Sequence, residues 1–345
     1  HLGIGWGLQL AAQKAKRERN WTAWQEIREN LESKKYLLNG HELLKNFDPD
    51  GMAHKWLNLS STKNLQWQTH VPLDSWLKTP MLLIGGWWDP HLRGVLDIFE
   101  KSMKAGGQPK LLIGPATHLQ WWEGAQRTQL KFFDSYLKGK SKETISTKIN
   151  LWNITTNNWE LSVQRKNPIW SLRSEGLASI SHVEGGLVPI SDSKVDCEVN
   201  LVHDPWRPVP AIGGHLSDTP GKANRFNIDT RSDVAVFTSL PMAKDLRIEG
   251  IPTLDIETKC DRECFDLFVA LSIIPSEIKN TANQLSTGVL RISNFDKNRK
   301  ALREIRLQPI LATFNQGDRL RISISGSGWP AIGINSGQSQ FLCQA

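Results

Sequence analysis

Two matched segments, about thirty residues apart, most constrain what this chain can fold into. Each is a short apolar run that breaks at glycine and then presents one acid–base residue: residues 82–86 lead to Asp89, and residues 111–114 lead to His118. Runs that are apolar throughout are typical of strands buried on both faces in parallel sheets. Since such sheets carry their functional groups at the carboxyl ends of the strands, the pattern predicts Asp89 and His118 at one edge.

The surrounding sequence alternates strand and helix patterns. We predict strands over 81–84 and 110–113, and helices over about 92–105 and 124–137, each helix closed by glycine. Strand–helix–strand–helix order indicates a parallel α/β unit.

The amino-terminal region has the spacing of amphipathic helices. In residues 1–45 apolar side chains recur every three or four positions, opposite Lys, Arg and Glu. They are Leu8, Ala11, Ala12, Ala15, Trp24, Ile27 and Leu31. Residues 46–78 are rich in Pro, Asp, Asn and Trp, which predicts an irregular connection in which one more short helix is possible.

After Lys140 the sequence pattern changes to short runs in which Ile, Val and Thr alternate with polar residues. This pattern predicts an antiparallel β-sandwich of the jelly-roll type. The runs are 147–153, 195–202, 233–238, 245–259, 265–274, 285–292, 302–311 and 318–325. Residues 203–232 are predicted to form a long loop lying over other parts.

Tryptophan use separates the two halves, since thirteen of the fifteen residues lie at or before Trp170. The predicted fold class is therefore α/β plus all-β. We divide the chain into a helical cap region (1–78), the carboxyl-terminal half of an α/β core (79–142) and a β-sandwich domain (143–345).

The composition, with 39% apolar and 22% charged residues, is that of a globular protein. The net charge of +7 comes from Lys and Arg spread along the chain beside acidic residues, which favours a solvated surface over a nucleic-acid site. No apolar stretch is long enough to cross a membrane, and residues 1–12 do not have the pattern of a signal peptide. We expect a cytoplasmic protein with reduced thiols. Cys260 and Cys264, predicted to share one face of a strand, are interpreted as packing residues, and no metal or cofactor is expected.

Asp89 and His118 have the order of the second and third members of a Ser–Asp–His triad in an α/β-hydrolase. The histidine would move the serine proton, and the carboxylate would orient the imidazole. A capping Asp and a packed His would produce the same pattern. No serine lies in a Gly-x-Ser-x-Gly motif, and residues 325–328 belong to a β-rich turn in the wrong order.

Three motifs around this pair resemble those of a known family. They are Gly-Gly-Trp-Trp-Asp at 85–89, Ile-Gly-Pro-Ala-Thr-His at 113–118 and Phe-Phe-Asp-Ser-Tyr-Leu-Lys-Gly at 132–139. The chain resembles the acyl esterase and X-prolyl dipeptidyl-peptidase family, the cocaine-esterase-like α/β-hydrolases with a carboxyl-terminal jelly roll. Trp88 stands where this family usually has Tyr, and Ala116 where it usually has Trp.

The resemblance continues through the second half of the chain. The family's Pro-rich segment ending in Gly-Gly matches 203–214, the first jelly-roll strand matches 233–239, and the closing strand and loop match 319–335. The resemblance implies a serine hydrolase in which Asp89 and His118 are catalytic and the nucleophilic Ser lies in an amino-terminal hydrolase segment absent from this sequence. The first residue is His rather than Met, which we interpret as a chain cut from something longer or carrying the remnant of a tag.

The resemblance implies a small-molecule ester or peptide substrate. Trp87, Trp88 and Trp121 flank the two loops and are candidate walls of an acyl pocket. His91 stands where the family often has an apolar pocket residue, and it is either a pocket residue or a surface histidine. A homodimer is compatible with the sequence. Two rival interpretations are an inactive truncated paralogue that serves as a binding module and a carbohydrate-binding sandwich.

Overall fold

The fold is described from a computed structural model of the chain. It covers residues 2–59, 70–139, 149–163, 168–190, 197–293, 297 and 299–337. Cys343 and parts of the predicted connection and β-runs lie outside the described residues.

The chain begins with helices that enclose a small core of their own. They are α1 (Leu2–Arg17), α2 (Trp21–Glu32), α3 (Tyr36–Phe47), α4 (Met52–Leu57) and the short α5 (Asp74–Leu77). Leu8, Ile27 and Leu44 are fully buried in this core. The Asn20 side chain begins α2 by accepting a hydrogen bond from the Ala23 N–H. The apolar residues that recur at helical spacing in the sequence therefore form the buried faces of these helices.

An α/β unit follows, in the predicted order. It consists of β1 (Leu82–Trp88), α6 (Leu92–Lys104), β2 (Lys110–Thr117) and α7 (Ala125–Leu137). The strands β1 and β2 are parallel and pair from Leu82↔Lys110 onward. Both strands continue about four residues beyond the ends predicted from the glycines.

The glycines do not end these strands; they permit close packing within them. A Cβ atom at Gly86 would collide with the backbone of Ala116, and one at Gly114 would collide with the Trp122 indole. The absence of a side chain lets β1 and β2 stay together up to their carboxyl ends, where the functional groups follow.

Two further strands extend the same sheet. They are β3 (Ile149–Asn153), which is parallel to β2, and β4 (Asn158–Leu161), which is antiparallel to β3. The sheet order is β1-β2-β3-β4, so β1 is an edge strand in the described part of the chain. The expectation that 147–153 belongs to the sandwich is therefore wrong for its described part.

The second half is built from the remaining strands. They are β5 (Trp170–Arg173), β6 (Gly185–Pro189), β7 (Val234–Ser239), β8 (Leu246–Gly250), β9 (Thr253–Thr258), β10 (Phe265–Ile274), β11 (Asn283–Ile292), β12 (Ala301–Arg306), β13 (Ile310–Phe314) and β14 (Arg319–Ser325), with the short helix α8 (Phe226–Asp229) before β7. One six-stranded sheet has the order β11-β10-β14-β7-β6-β5, and two two-stranded sheets are β12-β9 and β13-β8.

Several predicted runs differ in detail. Residues 245–259 and 302–311 each form two strands, because Pro252 and Pro309 cannot donate to a ladder and interrupt the pairing. Residues 197–202 form no strand, and β6 pairs with β7 in parallel rather than antiparallel. Cys260 and Cys264 lie in the turn between β9 and β10 rather than on one face of a strand.

One hydrophobic core joins the α/β unit to the β-domain. Trp87, Leu92 and Leu111 from the first belong to the same buried cluster as Leu311 and Phe314 from the second. This packing fixes the β-domain beside the carboxyl ends of β1 and β2. No helix in the described ranges combines the length and apolar character that a bilayer span requires.

Candidate active site

The register of β1 and β2 brings the two predicted catalytic residues together. Trp88 pairs with Thr117 across a small irregularity that follows Gly86. Asp89 and His118 are the next residues on the two strands. Each therefore leaves the sheet at the same edge, as the sequence predicts.

Asp89 is held in place from several directions. It is only 7% exposed, and its Oδ1 atom accepts a hydrogen bond of 2.8 Å from the His91 N–H. Its main-chain N–H donates to the Gly86 carbonyl, while its own carbonyl accepts from the Leu92 N–H. The carboxylate thus has one oxygen fixed by the backbone and the other, Oδ2, directed to His118.

His118 follows a tight turn at the end of β2. The Thr117 hydroxyl accepts hydrogen bonds from the N–H groups of Leu119 and Gln120, and the Thr117 N–H donates to the Gln120 carbonyl. This turn directs the chain away from the sheet and leaves the His118 side chain 59% exposed. Its Nδ1 atom lies 3.4 Å from Asp89 Oδ2. A carboxylate on one ring nitrogen leaves the other nitrogen free for proton transfer.

His91 contributes a second imidazole to the same place. It is the residue before α6, and its ring centroid lies 4.9 Å from that of His118, with an angle of 56° between the rings. Asp89, His91 and His118 each have one N or O atom that lies within 4.8 Å of the others. The sequence singled out His91 only as a pocket or surface residue, so the pairing of the two rings is new.

Trp87 and Trp88 are buried in the core and are 3% and 8% exposed. The Trp87 Nε1–H donates a hydrogen bond of 2.7 Å to the carbonyl of Trp152 on β3. We therefore interpret both as packing residues, because their rings fill the core rather than line an open space.

Trp121 lies elsewhere, on an apolar hollow along β1. The hollow has a volume of about 520 Å³, and its lining includes Met81, Ile84, Phe132 and Phe133. Neither Asp89 nor His118 lines it. A role for Trp121 in a substrate pocket stays a prediction.

The β-domain contacts the Asp89 loop, which the sequence did not indicate. Gln308, buried between β12 and β13, donates from Nε2 to the Asp89 carbonyl over 3.1 Å. Arg93, on the first turn of α6, donates to the carbonyls of Arg306 and Leu307. The loop that carries Asp89 is therefore held by a domain more than two hundred residues further along the chain.

Comparison with protein families accounts for almost the whole chain. The X-Pro dipeptidyl-peptidase (S15 family) matches residues 1–120, and the X-Pro dipeptidyl-peptidase C-terminal non-catalytic domain matches residues 125–345. The chain belongs to the X-Pro dipeptidyl-peptidase family. The acyl esterase and X-prolyl peptidase resemblance predicted from the motifs is thereby confirmed.

One curated relative matches the chain at low sequence identity. Cocaine esterase from Rhodococcus sp. (strain MB1 Bresler) is 23% identical over 304 residues, which are 75% of this chain and 50% of the esterase. The chain thus spans about half the length of this curated relative.

Two solved structures share the fold. An aminopeptidase from the marine sediment archaeon Thaumarchaeota archaeon has a TM-score of 0.62 at 17% identity, over 77% of this chain and 51% of that protein. An α-amino acid ester hydrolase has a TM-score of 0.61 at 18% identity, over 90% of this chain and 56% of that protein. The predicted fold class, part of an α/β-hydrolase followed by a β-domain, is confirmed.

Proposed function

We propose that this S15-family chain is the Asp- and His-bearing part of a serine hydrolase that cleaves esters or peptide amides through an acyl-enzyme. The proposal is carried by the contact between Asp89 Oδ2 and His118 Nδ1 at the ends of two paired parallel strands. A buried carboxylate next to an exposed imidazole is the arrangement that proton transfer to and from a nucleophile requires.

His118 would act first as a base and then as an acid. With its Nδ1–H donated to Asp89, the Nε2 lone pair accepts the serine proton as the serine oxygen bonds to the carbonyl carbon. The imidazolium then gives this proton to the departing alcohol or amine, and the negative Asp89 stabilises the cation in between. Water repeats the cycle on the acyl-enzyme and releases the acid.

The nucleophile would come from a further hydrolase segment outside this sequence. In the described part of the chain no hydroxyl or thiol makes a hydrogen bond to the His118 ring, and β1 has a pairing partner on one side only. An unpaired strand edge offers free N–H and C=O groups to another strand. We propose that strands of an amino-terminal hydrolase segment pair with β1 and cover the apolar hollow formed by Met81, Trp121 and Phe132.

The substrate class is a small ester or a peptide amide. The exposed His91 borders the place where an acyl group attached to the serine would lie, because its ring is next to that of His118. An imidazole there can donate a hydrogen bond to a polar acyl group, which an apolar residue cannot.

The proposal is tested with the full-length gene product that contains this chain. We expect a fluorophosphonate probe to label one serine, and Asp89→Asn and His118→Ala to lower ester hydrolysis by about three to four orders of magnitude. His182→Ala is a matched control, since His182 lies in the turn before β6 and makes no hydrogen bond to Asp89 or His118 in the described part of the chain. A full-length protein that is folded, unlabelled and inactive on esters and X-Pro amides would instead support the inactive binding module.

A further inference from the structure

Three potential metal-binding side chains converge just beyond the carboxyl ends of β1 and β2. One ligand atom each from Asp89, His91 and His118 lies within 4.8 Å of the other two. The carboxylate is buried and the two imidazoles are exposed. One carboxylate and two imidazoles therefore meet at a place that an ion can reach from solvent.

The three groups differ in how freely they move. Asp89 is fixed by the His91 N–H, whereas the His91 ring makes no hydrogen bond in the described part of the chain and the His118 ring makes only the 3.4 Å contact with Asp89. The two rings are tilted by 56° and lie 4.9 Å apart, so their nitrogens can turn toward a shared point.

Zinc chemistry suits this donor set. Zn²⁺ takes imidazole nitrogen and carboxylate oxygen at about 2.0–2.2 Å in a tetrahedron, so its ligand atoms are roughly 3.3 Å apart. The three ligand atoms already lie within 4.8 Å of one another, and the two histidines that would have to rotate toward an ion are exposed. Mg²⁺ and Ca²⁺ prefer oxygen ligands and fit two imidazoles poorly.

We propose that Asp89, His91 and His118 form a binding site for Zn²⁺, with the fourth position left to water. This departs from the expectation that the chain binds no metal. Two residues of the site are the proposed catalytic pair, and the third, His91, makes the set complete.

If the proposed function is correct, Zn²⁺ bound at this site inhibits hydrolysis. A neutral imidazole has one basic lone pair, and a metal that takes it leaves no acceptor for the serine proton. Zinc binding and acyl transfer therefore exclude each other. The ion acts as a reversible inhibitor of hydrolysis and is not a cofactor.

The binding test needs no activity. Zn²⁺ is titrated by calorimetry into the tag-free 345-residue chain, and we expect one ion per chain. His91→Ala should raise the dissociation constant at least tenfold, and His182→Ala should leave it unchanged. His54→Ala tests the rival ring pair His41–His54, whose centroids are 5.4 Å apart. Unchanged affinity in His91→Ala, or a loss confined to His54→Ala, would overturn the site.

The inhibition test uses the full-length hydrolase. Rates are normalised to each variant's own metal-free rate, and the wild type should lose activity with Zn²⁺ and recover it with EDTA. The Zn²⁺ concentration that inhibits half of the activity should be at least ten times higher for His91→Ala than for the wild type. Equal concentrations for the two proteins would refute inhibition through this site. If no substrate is hydrolysed, the proposed function fails, while calorimetry still decides whether the metal site exists.

Discussion

The side-chain amide of Gln308 donates a hydrogen bond of 3.1 Å to the main-chain carbonyl of Asp89, across 219 positions of sequence. Gln308 is only 3% exposed. Gln308 lies in the domain that matches the family's C-terminal non-catalytic domain. It nevertheless holds the loop that carries the proposed catalytic carboxylate. We infer that Gln308 is a positioning residue, which acts on the reaction through Asp89.

Substitution of Gln308 is expected to separate activity from stability. Gln308→Ala removes one of the two donors to the Asp89 carbonyl and should cost about 1 kcal/mol of unfolding free energy. Because small displacements of catalytic groups are costly, kcat of the full-length hydrolase should fall by about one to two orders of magnitude with little change in KM.

The matched control for Gln308 is Gln284, another buried glutamine whose Nε2 donates to a main-chain carbonyl, that of Ile212. Gln284→Ala should lower stability but leave kcat unchanged, since it is bonded to Ile212 and Arg225 rather than to the Asp89 loop. Urea unfolding and steady-state kinetics on both variants provide the measurement. Equal losses of kcat in the two variants would count against a positioning role.

The close approach of Gly86 to β2 gives a second prediction. A methyl group at this position would collide with the backbone of Ala116, just before the strand ends that carry Asp89 and His118. Gly86→Ala should therefore destabilise the chain by about 1–3 kcal/mol and lower activity as well. Urea unfolding of the 345-residue chain measures the first effect.

Gly94 is the control for this prediction, because a Cβ atom there meets nothing within 4 Å and the residue lies inside α6. Gly94→Ala should stabilise the chain by about 0.5–1 kcal/mol, the usual advantage of alanine over glycine within a helix. If both substitutions shift the urea midpoint in the same direction, the close approach at Gly86 is not the cause.

The contact between Asp89 and His118 could be predicted from sequence because it depends on local patterns. Two apolar runs imply neighbouring parallel strands, and such strands end at the same edge. The predicted strand ends are wrong because glycine often ends a strand, whereas Gly86 and Gly114 allow close packing within the sheet. Trp87 and Trp88, which the sequence offers as candidate pocket walls, continue the buried strand.

Contacts between distant segments had no sequence signal. Nothing in the residues around Gln308 indicates a hydrogen bond to a loop 219 positions earlier. Likewise, β3 follows Lys140, where the sequence pattern changes to that of the predicted β-sandwich. It nevertheless pairs with β2, because the edge of the first sheet offers it a parallel partner. The composition of a segment predicts that it forms a strand, but it does not predict which sheet the strand joins.

The Trp87 indole gives a third prediction. Its Nε1–H bonds to the Trp152 carbonyl, and this links β1 to β3 across β2. Trp87→Phe keeps most of the apolar ring but leaves that carbonyl without its donor, so we expect a loss of about 1–2 kcal/mol. Trp21→Phe, at a position that is 54% exposed, should change the urea midpoint little. Equal midpoints for the two variants would show that the hydrogen bond contributes nothing.

A fourth prediction concerns acid stability. Burial, with a smaller contribution from the Arg93 charge, lowers the pKa of His215 from 6.5 to about 4. Since the unfolded chain binds a proton near pH 6.5 and the folded chain does not until about pH 4, the neutral ring stabilises the fold fully above pH 6.5. That stabilisation is lost as the pH falls toward 4, by at most about 1.4 kcal/mol per pH unit.

Urea unfolding is measured between pH 7 and pH 5, because this range lies above the ordinary pKa of carboxyl groups, about 4. His215→Gln replaces the ring by an amide that does not titrate and that can still bond the Thr287 hydroxyl, which lies 3.3 Å from His215 Nδ1. The variant should lose stability less steeply on acidification than the wild type. Parallel curves for the two proteins would mean that His215 is accessible to protons in the folded state and that its burial does not control acid stability.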